Sequence, residues 1–439
     1  LKTMFWNRKK NTLNKNSLSN GTVENQASTR AEKDKQLPLS FLKRLIPISR
    51  LTDADLLDLK ATISRYKPGD VIFKRNEPSE LLSYIVKGHC FLESNNGSGY
   101  DIEASTFKSY YPLSSDYHNH CSAIAKSDVH LIHFPLSILQ KSNPDNRNPL
   151  LNIEDIPDNC RDNQFFNAFC QQFKQDKLII PSLPDVALKL RSALQKDIGV
   201  KEAVTIINFD PAIASKLIQI VNSPLYQTVN PITTCHDAVT RLGLTATRNL
   251  VTSISMKNLF RSKNRALNNR IHHIWKQGVQ VSSISQALAV LSKQANPDEA
   301  LLAGLVHNIG ALPVIIFADS LNKEDYSEQD LDLTISTLQG LLGNIILDRW
   351  DFQDISKKIP RQIENWYHKD SEQLQISDIV LLAKFHSYLG SPQMKKLPPI
   401  QTLPAFQKLG DNALTPEMSL QTLHDAKEQI HQALSLFNS

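Results

Sequence analysis

The chain has 439 residues, with 49 Lys/Arg against 44 Asp/Glu and a formal net charge of +5. That length exceeds what one hydrophobic core usually holds, so two or three domains are expected. Residues 1–36 contain eight Lys/Arg and three Asp/Glu, which is the whole excess, so the remainder is neutral and lacks the clustered basic face that nucleic-acid binding requires.

Residues 1–36 are rich in Asn, Ser, Thr and Lys with almost no apolar period, and they read as a disordered basic tail outside the fold. The start, Leu1 to Lys10, lacks the apolar core of a secretory signal. The longest apolar stretch, Leu301 to Ala318, is interrupted by His307, Asn308 and Pro313, so neither export nor a membrane span is expected. Five scattered cysteines (Cys90, Cys121, Cys160, Cys170 and Cys235), without a C-x-x-C pair, read as free thiols in a reducing compartment. A cytoplasmic protein is the expectation.

A helical pattern begins at Pro38, and Thr52-Asp-Ala-Asp55 reads as a capping box leading into Leu56, Leu57, Leu59 and Ile63. Short β-like runs follow: Val71–Phe73, Leu82–Val86, Cys90–Leu92, Ser122–Ala125 and Val129–Phe134. Turn material such as Lys67-Pro-Gly-Asp70 and Lys87-Gly88 separates them, and Pro135 opens a helix. Strands at this spacing make residues 37–145 a small barrel or jelly roll. Residues 146–170, with their Asn, Pro and Asp, read as a linker.

From residue 171 to 395 the texture is all-α. Helices are expected after Pro184, over Val200–Ile207, from the Asp210-Pro211 cap to Val221, and from the Thr234-Cys-His-Asp237 capping box to Gly243. Others run over Ile271–Leu291, Pro297–Val306, Thr334–Trp350 and Ser377–Tyr388. Residues 396–439 form a C-terminal extension with a helix from Pro416 to Leu434, whose Leu420, Leu423, Ala426, Ile430 and Leu434 share an apolar face.

Several separated blocks, in order, resemble the HDOD family, the HD-related output domain of bacterial signalling proteins. They are Pro181-Ser-Leu-Pro184, Phe209-Asp-Pro-Ala-Ile-Ala214, Val221-Asn-Ser-Pro-Leu-Tyr226 and Ala238-Val-Thr-Arg-Leu-Gly-Leu244. The β half, through Lys67–Phe73, Tyr84–Gly88 and Asp128–Ile132, is similar to cyclic-nucleotide-binding jelly rolls. Together these imply a β jelly roll followed by an all-α HD-like domain.

The resemblance also says where chemistry would sit. HD phosphohydrolases hold metals with histidines and an adjacent His-Asp pair whose carboxylate supplies negative charge. The corresponding helix here, Ala300 to Gly310, carries His307-Asn308, and an amide does not offset the charge of a divalent ion. Where metal-dependent relatives place further histidines, this chain has Gln277 or Gly278 after Trp275, Gln339 in the helix ending at Trp350, and Tyr367-His368 late in the domain. Two neutral ligands do not make a divalent-metal site. His307 is therefore expected to be a buried or partly buried hydrogen-bonding residue with Asn308 as its neighbour's cap. The rival reading is an ion site rebuilt from side chains such as His272 or His273, which lie about 100° apart on one helix.

The barrel departs from its relatives as well. Its segment Thr106 to Cys121 contains no Arg, Glu or Gly with which to clamp a cyclic phosphate; Lys108, His118 and His120 could meet a different anion, and Tyr110, Tyr111 and Tyr117 could line a pocket or cover the barrel.

The reading is thus a non-catalytic bacterial signal-transduction regulator, with no catalytic residue, metal or cofactor, acting through a protein partner and binding neither nucleic acid nor membrane. The ligand of its barrel is not legible. The alternative is a metal-dependent phosphohydrolase of nucleotides or cyclic dinucleotides with an altered HD site. A ligand-gated transcription factor fits less well, because the HDOD-like segment occupies the place of a DNA-binding helix-turn-helix.

Overall fold

The computed structural model describes residues 32–94, 99–141, 158–175, 179–223, 231–262, 264–352 and 358–409, together with Lys177 and Tyr226. Among the described residues the N-terminal region is built on eight strands: β1 (Glu32–Gln36), β2 (Lys60–Tyr66), β3 (Val71–Phe73), β4 (Leu81–Lys87), β5 (His89–Glu93), β6 (Gly99–Glu103), β7 (Ser122–Ala125) and β8 (Val129–Pro135). They form two four-stranded antiparallel sheets, ordered β1-β2-β8-β4 and β3-β7-β5-β6. This is the expected jelly roll.

Strand alternation decides what each sheet face covers. On β4 and β8, Ile85, Val129 and Leu131 point between the sheets with Cys90, Leu92 and Ala123. Their neighbours Leu82, Tyr84, Ile132 and Phe134 point outward and are covered by α1 (Leu39–Leu42), α2 (Asp53–Leu57) and α3 (Ile138–Lys141) through Leu42, Leu56 and Ile138.

Three expectations for this region need correction. Residues 32–36 belong to the fold, because β1 pairs with β2, Gln36 opposite Lys60. The Thr52 cap holds, its side chain accepting from the Asp55 amide, but the helix ends at Leu57 and Ile63 lies in β2 opposite Ile132. An apolar residue seven positions after Leu56 fits a helical stripe and a strand face equally; pairing with β8 selects the strand. Pro135 ends β8, and the helix begins only at Ile138.

The second region is helical: α4 (Asp158–Arg161), α5 (Gln164–Lys174), α6 (Asp185–Leu194), α7 (Val200–Asn208), α8 (Pro211–Val221), α9 (Cys235–Leu242), α10 (Leu244–Met256), α11 (Arg265–Ser292), α12 (Pro297–Val306), α13 (Ala311–Asp319), α14 (Glu328–Arg349), α15 (Ile359–Gln362), α16 (Ile376–Ser387) and α17 (Pro404–Gln407). Asp210 caps α8, Thr234 caps α9, and Gly243 supplies the positive φ of 78° between α9 and α10.

Both borders of this region lie further out than the sequence indicated. In α5, Phe165, Phe166, Phe169 and Cys170 are buried in the helical core, so the expected linker is part of the domain from Asp158 onward. At the other end Leu397, Ile400, Leu403 and Phe406 pack into the core of α16. The expected helix Pro416–Leu434 lies outside the described residues. All five cysteines are buried free thiols. The stretch Pro297–Asp319, apolar enough by composition to cross a bilayer, is 94% buried inside the protein.

A degenerate HD centre beside the barrel

His307 follows the last turn of α12, a helix whose residues Ala300–Val306 are all apolar and buried, packed between α11 and α16. Its Nδ1 lies 2.6 Å from the Gly304 carbonyl, the geometry of a ring N–H donating to that oxygen. Burial first, and then the Lys384 ammonium, push its pKa down to about 3, against the pull of the Gly304 carbonyl. The imidazole is therefore neutral.

Asn308, expected as its neighbour's cap, reaches across to another helix instead. Its Nδ2 donates to the Ile274 carbonyl of α11 at 2.9 Å, tying α12 to the neighbouring helix. Its buried Oδ1 has no hydrogen-bond partner among the described residues. The atom faces Gly278, whose absent Cβ would stand 3.4 Å from it and 3.2 Å from the Leu305 carbonyl. Of the two candidate positions on α11, Gly278 faces the centre. Gln277 points elsewhere, donating to the Tyr388 hydroxyl at 3.1 Å.

Gln339 on α14 donates through Nε2 to Glu364 Oε1 at 3.1 Å. The same carboxylate oxygen lies 3.7 Å from Lys384 Nζ on α16. Lys384 also donates to the Ile363 carbonyl at 3.3 Å and lies 5.7 Å from the Trp366 ring centroid. Glu364 and Lys384 were missed from sequence. Neither stands in a recognisable motif, and they meet only because α15 and α16 fold back on α14. The single cue was a lysine on an otherwise apolar stripe of α16.

His368 belongs to a different group. Its Nε2 approaches Asp370 Oδ2 at 2.8 Å, off the line of a ring hydrogen bond, and its other charged neighbour is Asp378. The structure thus joins Gln339, Glu364 and Lys384, with Lys384 acting on His307, while Gln277 and His368 meet other partners, Tyr388 and Asp370.

A divalent metal does not fit these residues. Its charge would need anionic donors, yet the Asn308 amide is committed to Ile274, the Gln339 amide to Glu364, and Lys384 already brings a positive charge. Among the described residues no three His, Cys, Asp or Glu side chains converge as a metal-binding group.

The barrel docks beside this centre. In the segment between β6 and β7, Tyr111 Oη donates to the Lys396 carbonyl at 2.6 Å, Ser115 Oγ donates to the Thr402 carbonyl at 2.5 Å, and Asp116 pairs with Lys369 at 3.2 Å. Tyr111 lies against Tyr367, with ring centroids 6.4 Å apart. Arg50 donates to the Glu364 carbonyl. Of the aromatics left open between pocket and cover, Tyr111 covers the domain junction.

These features define a helical domain joined to a jelly roll. Residues 180–362 match the HDOD domain, and the helical region contains an HDOD domain. A structure from Shewanella amazonensis SB2B, provisionally named a metal-dependent phosphohydrolase, is 28% identical with a TM-score of 0.53, covering 61% of this chain and 98% of that one. A structure from Geobacter metallireducens GS-15, provisionally named a cyclic nucleotide-binding protein, is 22% identical with a TM-score of 0.20, covering 25% of this chain and 84% of that one. An uncharacterized protein of Treponema pallidum (strain Nichols) is 28% identical over 137 residues, 30% of this chain and 25% of that protein. The match therefore spans a quarter of that relative's length.

Proposed function

We propose that this chain is a non-catalytic regulator of bacterial signal transduction, in which the jelly roll controls an HDOD domain that acts on a protein partner in the cytoplasm. The observation that carries the reading is the seating of the barrel. The segment that would clamp a cyclic phosphate in its relatives has no Arg, Glu or Gly for that task. It is spent on Lys396, Thr402 and Lys369 of the helical domain. Arg50 grips the backbone of Glu364, whose side chain enters the degenerate centre. A change in the barrel therefore reaches the helices around His307 directly.

The test pairs an activity assay with a coupling assay. Purified protein supplied with Mn²⁺ is expected to leave nucleotides and cyclic dinucleotides intact. Tyr111→Ala, which breaks the dock, is expected to increase hydrogen exchange in α14, α15 and α16. Mn²⁺-dependent hydrolysis that is lost in His307→Ala would overturn the reading. It would establish the alternative suggested by the name of the Shewanella relative, an altered metal-dependent phosphohydrolase.

A further inference from the structure

Gln339 on α14, Glu364 in the turn after α15 and Lys384 on α16 converge through one carboxylate, and Lys384 also acts electrostatically on His307 at the end of α12. In a metal-dependent domain the positive charge joining such segments is an ion from solution. In this chain a positive charge is already present. The Lys384 side chain is only 12% exposed, and its Nζ lies 3.7 Å from Glu364 Oε1, which also accepts the Gln339 amide. An ammonium group this far from water is costly unless it is paired and hydrogen-bonded, and Lys384 is both, through Glu364 and the Ile363 carbonyl.

We propose that the Lys384 ammonium takes the electrostatic place of the metal ion, binding Glu364 and the surrounding helices together and excluding divalent cations from the centre. The proposal rests on the regulator reading and deepens it, because a tethered cation holds the domain in one shape whatever the metal supply. The neighbouring residues agree. Asn308 and Gln339 are amides where an ion would favour an acid and an imidazole. The neutral state of His307 suits a position next to a fixed cation.

The test uses the full chain loaded with Mn²⁺, desalted and assayed for retained metal, with thermal unfolding in the presence and absence of Mn²⁺. The wild type and Lys384→Arg should retain none and show no shift. Asn308→Asp should also retain none, because Lys384 is still in place. Asn308→Asp combined with Lys384→Glu places three carboxylates beside His307. It should retain about one Mn²⁺ per chain and melt higher with the metal than without it. Should that double variant fail to fold, Lys384→Met provides the second measurement: a melting temperature below that of wild type supports the proposal, and an unchanged one overturns it. Metal retention by Asn308→Asp alone also overturns it, as does a folded double variant that retains none. In both cases the regulator reading survives if the wild type hydrolyses nothing. Hydrolysis without retained metal would instead remove the regulator reading and leave the lysine's role standing.

Discussion

Replacing Lys408 by Met tests whether the C-terminal segment is part of the helical domain. Lys408 Nζ lies 2.8 Å from Asp378 Oδ2 and 2.9 Å from Oδ1, and the two side chains are 5% and 3% exposed. Removing one member of so buried a pair strands the other charge, at a cost of about 3 kcal/mol. The pH dependence has a definite sign. Burial raises the Asp378 carboxyl above the ordinary 3.8, although Lys408, the Gln375 amide and His368 all pull it down. An acid whose folded value is raised contributes stability fully below 3.8 and loses it as pH climbs through the folded value. Lys408→Met removes the strongest downward pull, so its deficit should widen from mild acid to neutral pH. Denaturant unfolding followed by tryptophan fluorescence reports on this domain, since the described tryptophans, Trp275, Trp350 and Trp366, all lie in it. Asp378→Asn combined with Lys408→Met should recover much of the loss. A single variant as stable as wild type, or a deficit that does not change with pH, would refute the reasoning.

Gly310→Ala should cost about 3 kcal/mol, read in the same unfolding assay, because the new Cβ would collide with the backbone of Gln339 and Gly343 on α14. In the barrel, burial pushes His133 down to about 4, with Nδ1 2.8 Å from Ser83 Oγ. Its contribution is present above 6.5 and lost as pH falls through about 4, so His133→Gln should flatten the pH dependence of hydrogen exchange in β4 and β8 across that window. At the domain junction burial raises the Asp116 carboxyl, but His120, the Tyr117 amide and Lys369 outweigh it and hold the group well below the usual carboxylate range. That contribution is present above 3.8 and lost as pH falls through the depressed value. Solution scattering should therefore show the domains separating under strong acid, and at milder acidity in Lys369→Met.

Local signals carried much of the helical half. Asp210 before Pro211, the Thr234-to-Asp237 box and Gly243 are cap residues, and caps act within one turn, so their geometry follows from neighbours in sequence. Strands such as Val71–Phe73 and Ser122–Ala125 were legible from composition and turns. Lys60–Tyr66 and Glu32–Gln36 were not, because a strand exists only with a partner, and theirs are distant in sequence: Glu32–Gln36 pairs with Lys60–Tyr66, which pairs in turn with Val129–Pro135. The β-bonded Gly99–Glu103 was also missed, behind an Asn- and Gly-rich turn that reads as loop.

The same division holds at the centre. That His307-Asn308 departs from a His-Asp pair is a property of the residues alone, since a carboxylate is either present or absent. The sequence alone also determined the change of fold class between the two halves, through the switch from period-two to helical patterning. The choice of Gly278 over Gln277 needed the tertiary structure, because adjacent helix positions differ by about 100° in direction and only packing says which one faces inward. Gln339 and Glu364 are 25 residues apart, Lys384 lies a further 20 along the chain, and each alone is an ordinary polar side chain. Their meeting depends on how α14, α15 and α16 pack, and that packing turned a site with its acid missing into one with a cation of its own.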